Sequence, residues 1–294
     1  MKKKVYALGF FDGVHLGHQA LLNTCKEMAA QLGGIPCALT FDTYPRSLVT
    51  GEQTRLLNSV ADRIMLLKQY GMEQVETLHF DKATMDMPWQ DFFRFLTDEL
   101  GAVGLVCGDD FRFGRKGEGN GEKLQLACRQ AGIACAVVPE QSVDGVRVSS
   151  THIRRCIEQG DLEQANRFLG HPHILSGQVV SGRKLGRTIG VPTANIALPE
   201  QVLAPRFGVY AAKVLLDGAV MTAVTNIGMR PTVNGKDITV ESWILDFQGD
   251  IYGKTITLHL HKFLRPEMPF ASLETLGEQI QADARQTKDY FPDK

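Results

Sequence analysis

The sequence predicts an α/β domain, a parallel sheet with helices on both faces, followed by an all-β domain that is an antiparallel barrel or sandwich. Two observations carry this. Up to about residue 170, short apolar runs alternate with helical stripes. After His171-Pro172 the runs follow one another directly, joined by tight turns. At 294 residues the chain is long enough for two cores, and the expected division is 1–170 and 171–294.

In the first half, Val5 to Phe10, Cys37 to Phe41, Val75 to Phe80, Val103 to Cys107 and Ala134 to Val138 read as short strands buried on both faces. Between them, Leu21, Cys25, Met28 and Leu32 recur at helical spacing and stop at Gly33-Gly34. Val60, Ile64 and Leu67 form a second stripe, Phe92, Leu96 and Leu100 a third, and Leu124, Cys128 and Ala131 a fourth. Two short helices close this half, one opened by Ser149 or Ser150, the next by Asp161 with Gln164. The second half gives strands at Ile174 to Val180, Val209 to Leu216, Val220 to Ile227, Val240 to Phe247 and Thr255 to His261. Leu273, Leu276 and Ile280 mark a closing helix.

A formal net charge of -1 argues against a general nucleic-acid binder. No apolar run is long enough for a membrane helix, and the start Lys2-Lys3-Lys4-Val5 does not resemble a signal peptide. Six cysteines without a C-x-x-C pair suggest reduced thiols and a cytoplasmic protein. The sequence leaves the oligomeric state open.

Two segments carry chemistry. Gly9-Phe10-Phe11-Asp12-Gly13-Val14-His15-Leu16-Gly17-His18 joins the first strand to the first helix. There, free backbone N–H groups and the helix dipole favour an anion, and glycines let a polyphosphate approach the backbone. His15 and His18 add donors expected to titrate near neutrality. A pair of metal ligands and ordinary loop histidines are the other readings. In the second half, the glycine-rich run with Gly182, Gly186 and Gly190 reads equally as a phosphate loop or a flexible hairpin. In Val240 to Phe247 a period of two puts Glu241 with Trp243, Leu245 and Phe247, opposite Ser242 and Asp246. The apolar series is taken as the barrel's inner face, where a desolvated Glu241 with a raised pKa suits a general base. A strand-end glutamate in solvent is the alternative.

The H-x-G-H signature resembles the nucleotidyltransferase superfamily, and F-D-G-V-H-x-G-H resembles the prokaryotic bifunctional riboflavin kinase/FAD synthetase family. Gly108-Asp109-Asp110-Phe111-Arg112-Phe113-Gly114, Arg147 to Arg154, Thr40 to Arg46, the Pro192-Thr193-Ala194-Asn195 segment, Asn226 to Thr232 and Leu264-Arg265-Pro266-Glu267 agree with that family. The resemblance implies a Rossmann-like nucleotidyltransferase domain and a six-stranded Greek-key barrel with a terminal helix. It implies riboflavin phosphorylation to FMN in the barrel and FMN adenylylation to FAD in the first domain, with small-molecule partners, ATP as co-substrate and Mg²⁺ at both sites. Gly9, Phe11, Asp12, Gly13, His15, Gly17 and His18 would surround the ATP phosphates. Ser150, Thr151 and Arg154 would close over them, with Asp110 and Arg147 near nucleotide or flavin phosphate. In the barrel, Gly182 and Gly186 would lie at ATP, Thr193 and Asn195 at Mg²⁺ and phosphates, Glu241 at the ribityl hydroxyl and Arg265 at flavin. Tyr44 stands where the family usually has His, and His152 where it often has Arg. A riboflavin kinase with weakened adenylyl transfer is therefore the alternative; a pantetheine or nicotinate adenylyltransferase and a flavin carrier without turnover are the other rivals.

Overall fold

A computed structural model describes residues 2–51, 53–182, 190–232 and 235–291. It divides into two compact units, Met1–Ser150 and Thr151–Lys294.

The first unit is built on a five-stranded parallel sheet: β1 (Lys4–Leu8), β2 (Ile35–Phe41), β3 (Gln74–Leu78), β4 (Ala102–Gly108) and β5 (Ala134–Val138), in the order β3-β2-β1-β4-β5. Its helices are α1 (Leu16–Leu32), α2 (Pro45–Thr50), α3 (Val60–Gln69), α4 (Lys82–Asp86), α5 (Trp89–Arg94) and α6 (Gly121–Ala131). The stripe ending at Leu100 continues α5 as a π-helical turn over Phe95–Glu99. Successive residues of β1 enter opposite cores, which is why the run has no polar face. Tyr6 and Leu8 pack with Phe92, Leu96, Leu124 and Cys128, while Val5 accepts the Cys25 thiol of α1 at its carbonyl, 3.2 Å away. Burying each such side chain contributes roughly 1.5–3 kcal/mol. Helix α1 stops where the sequence says, because Gly33 takes the left-handed conformation at φ 64°. With β2 on one side of β1 and β4 on the other, the strand order reverses at β1, and the crevice beyond its C-terminal end is where such sheets take ligands. A small hairpin, β6 (Ser142–Val143) and β7 (Val146–Arg147), follows β5.

Helix α7 (Ser150–Gln159) starts at the last residue of the first unit, and the rest of it belongs to the second with α8 (Leu162–Leu169). The strands of the second unit are β8 (His173–Val180), β9 (Ala194–Ala197), β10 (Gly208–Leu216), β11 (Ala219–Thr232), β12 (Gly235–Ile244) and β13 (Thr255–Arg265), and α9 (Leu273–Tyr290) closes the chain. The six strands form a closed antiparallel barrel in the order β10-β11-β12-β9-β8-β13. Return of β13 to the free side of β10 is the Greek-key connection expected. Ile256, Leu258 and Leu260 are buried, as their alternation predicts. The hairpin at Asp217-Gly218 has φ of 49° and 84°, the tight turn that pairs β10 with β11.

The packing boundary falls earlier than residue 170. Asn166 on α8 donates to the Leu260 carbonyl (2.9 Å) and accepts from the His173 amide (2.8 Å), which ties this helix to the barrel. The four-residue β9 went unread because it is too short to show a period. All six cysteines are free thiols. Among the described residues, no helix is long and apolar enough to cross a membrane.

Candidate active sites

Gly9, Phe11, Asp12, Gly13, His15, Gly17 and His18 come together in the turn between β1 and α1. The turn is strained: Phe11, Gly13 and Val14 have φ of 59°, 83° and 41°. For a β-branched residue such as Val14 that conformation is an outlier, of the kind that persists at sites where geometry matters more than stability. His15 caps α1, its Nδ1 accepting from the His18 amide at 3.3 Å. The two imidazoles stack with centroids 3.6 Å apart and planes 13° apart. A side chain at Gly17 would meet the His15 ring at 3.2 Å, and one at Gly9 the Phe11 ring at 3.1 Å, so both glycines make room for rings of the turn. Asp12 is buried and accepts from the Leu57 amide at 2.8 Å.

His18 differs from expectation. Burial, followed by the neighbouring His15 and Arg63, holds its pKa well below 6.5, so it is a neutral imidazole rather than one poised near pH 7. Ser150 reaches the turn, its hydroxyl donating to the Asp12 carbonyl at 3.0 Å. Thr151 is exposed and Arg154 half-buried on α7, which belongs to the second unit. Arg147 forms ion pairs with Asp110 (2.9 Å) and Glu140 (2.5 Å), all exposed; the described contacts of this group do not include the turn. Tyr44 packs its ring on Phe10 at 4.9 Å, and His152 packs on Phe168 at 4.6 Å.

In the barrel, the face assignment of Glu241 is corrected. Val240, Ser242 and Ile244 are the buried series, and the Ser242 hydroxyl bonds to that of Thr225 at 2.8 Å inside the barrel. Glu241 and Trp243 therefore lie on the outer face. Parity misled because this outer face is also apolar: α9 covers it, and Val209, Val224, Leu245 and Ala284 form a second core there, with Trp243 packed against it. Leu245 and Phe247 lie beyond the end of β12 at Ile244.

Between this face and α9 lies a cavity of about 320 Å³, within the range of small-molecule sites. Its wall includes Thr193, Asn226, Glu241, Trp243 and Arg265 from the barrel side, and Leu276 from the helix. Strand register sets a row across it. Asn195 pairs with Glu241, Glu241 with Asn226, Asn226 with Val209, and Val209 with Arg265. One carboxylate is thus flanked by two carboxamides. Asn226 escaped the sequence reading as a site residue, since only the pairing of β11 with β12 puts it beside Glu241. The Asn195 amide lies 3.4 Å from the Thr193 hydroxyl, and a side chain at Gly182 would meet Asn195 at 2.7 Å. Gly186 lies outside the described residues. Arg265 lines the cavity while its Nε and Nη2 grip Asp283 (2.9 and 2.7 Å) and its Nη1 donates to the Pro266 carbonyl. Among the described residues, no group of three or more His, Cys, Asp or Glu could hold a metal ion.

These two sites match two families. A family model for FAD synthetase matches residues 1–152, and one for riboflavin kinase matches residues 169–291. The chain belongs to the bifunctional riboflavin kinase/FMN adenylyltransferase family. A Listeria monocytogenes protein of that name is 36% identical over 292 residues, 98% of this chain and 92% of that one. The Escherichia coli K12 protein of the same name is 38% identical over 290 residues, again 98% and 92%. A crystal structure of a Streptococcus pneumoniae protein described as a macrolide-efflux protein is also similar, with 30% identity, TM-score 0.85, and coverage of 98% and 94%.

Proposed function

We propose that this member of the family phosphorylates riboflavin to FMN with ATP in the barrel and adenylylates FMN to FAD at the histidine turn. The adenylyltransferase function is assigned to 1–170 and the kinase function to 171–294, although α8 packs on the barrel. The observation that carries the reading is the coexistence of two built sites, a strained anion cradle and a covered cavity holding a carboxylate, in the order of the two family models.

In the kinase site, Glu241 takes the proton of the ribityl 5′-hydroxyl, whose oxygen attacks the γ-phosphorus as ADP leaves. Asn195 and Asn226 fix the carboxylate's setting, and Trp243 and Leu276 supply apolar wall for the flavin ring. Arg265, held by Asp283, acts as wall rather than as a mobile hand. Thr193 and Asn195 offer a hydroxyl and a carboxamide oxygen, hard donors that suit Mg²⁺ shared with phosphates and water. When bound, that ion offsets phosphate charge. In the adenylyltransferase site, an FMN phosphate oxygen attacks the α-phosphorus of ATP and pyrophosphate leaves. The turn over residues 9–18 and the start of α1 receive the phosphates, with neutral His18 and its stacked partner His15 donating to the oxygens as charge grows. Ser150, Thr151 and Arg154 act on the triphosphate, and Asp110 with Arg147 on the nucleotide or flavin phosphate. A cytoplasmic location fits free thiols and small soluble substrates.

Incubation with riboflavin, ATP and Mg²⁺, followed by chromatographic separation of the flavins, tests the reading. FMN followed by FAD is expected; consumption of riboflavin without FAD would refute the adenylyl half.

A further inference from the structure

Arg63, on α3, was not singled out by the sequence reading, yet it is among the most buried residues in the molecule, 1% exposed. Its Nη1 donates to the Phe10 carbonyl at 2.7 Å, and its guanidinium lies over the Phe10 ring at 4.1 Å. The same carbonyl accepts from the Thr40 hydroxyl at 2.9 Å. Among the described residues, Nε and Nη2 find no hydrogen-bond partner although buried, as is true of both amide atoms of Asn58, itself 2% exposed. Among the described residues, no carboxylate lies within salt-bridge distance of Arg63. A buried cation left this way is costly, and such a cost is retained where a site uses the charge.

The groups around it are those of the histidine turn. Asp12 of the turn and Asp42 beyond β2 act on Arg63 through space and partly offset the burial that lowers its pKa to about 10. Arg63 stays protonated at neutral pH. His18 feels His15 from the turn and Arg63 from α3.

We propose that Arg63 is a positioning residue for adenylyl transfer, acting through the Phe10 carbonyl on the strained turn. The inference rests on the reading of that turn as the adenylyltransferase site. The carbonyl anchor holds the backbone just before Phe11, the first residue of the turn with positive φ. Its charge adds to burial and to His15, the larger causes, in disfavouring a proton on His18. The same charge attracts the phosphates.

The test compares Arg63→Lys, which keeps the charge, with Arg63→Met and Arg63→Gln, which remove it. Adenylylation of supplied FMN is followed from about pH 5.5 to 8.5, with riboflavin phosphorylation measured alongside. Wild type should show no histidine inflection near pH 6.5, the ordinary histidine value. The neutral variants should raise the KM for ATP about tenfold and move the acid limb of the profile toward higher pH, with phosphorylation unchanged. Arg63→Lys should keep the wild-type profile. A wild-type profile and ATP KM in the neutral variants would overturn the proposal, as would a profile in Arg63→Lys matching theirs. If neither neutral variant folds, Arg63→Lys decides: an ATP KM and pH profile matching wild type support the proposal, and a KM raised about tenfold overturns it. Absence of FAD formation by wild type would instead refute the underlying reading of the site.

Discussion

The two sites are built in opposite ways. At the β1–α1 turn, a strained backbone shapes the proposed phosphate cradle: Asp12 and His15 of the turn are buried, His18 is half-buried, and Arg63 supports it from α3. In the barrel the backbone is regular, and the proposed chemistry falls to side chains on an outer face that one helix covers. A backbone cradle depends on local order in the sequence and can be read as a string. A side-chain row across strands depends on register, which a string does not contain.

The sharpest way to break this comparison is to remove one chemical group from each site. Glu241→Gln keeps the shape of the row and removes the base. Phosphorylation of riboflavin is expected to fall on the order of 10³-fold, within the range for a general base, while adenylylation of supplied FMN persists. Equal loss of both would show that the sites are not separate. His18→Ala should have the converse effect, lowering adenylylation about 10²-fold with phosphorylation intact, as read by FAD yield from FMN.

A smaller effect concerns the acid response of the barrel. Burial, followed by His171, lowers the pKa of His173 on β8 to about 3, below the ordinary 6.5. In the unfolded chain His173 takes a proton below about pH 6.5, while in the fold it does not until far lower. Its contribution to stability is therefore complete above that range and is lost as the pH falls toward the folded value. On the order of 2 kcal/mol should disappear between about pH 6.5 and 4.5. His173→Gln should flatten the decline of the barrel's urea midpoint over that range; an unchanged slope would remove His173 as its cause.

Most of the fold was legible because its elements are long enough to show a period. Strands β1, β2, β4 and β5, both long helices and the barrel hairpins follow their apolar residues and glycine stops. The misses have specific causes. Glu241 went to the wrong face because alternation shows only that two faces differ, and here each has its own apolar partner. Phe247 was counted into a strand that ends at Ile244. The expectation that His18 titrates near neutrality failed because burial and Arg63 are tertiary facts. Arg63 itself left a trace: it sits three residues after Val60 and four before Leu67, on the apolar stripe of α3, where a charge calls for a reason.

The most direct test of two self-sufficient sites is complementation. Glu241→Gln and His18→Ala proteins, each expected to convert riboflavin to FAD at least about 10²-fold more slowly than wild type, are mixed with riboflavin, ATP and Mg²⁺, and the yield is compared with that of each alone. The account predicts that FMN released by the His18→Ala protein is adenylylated by the Glu241→Gln protein, so FAD accumulates. No more FAD from the mixture than from either protein alone, while each protein still performs its retained step on supplied substrate, would contradict it.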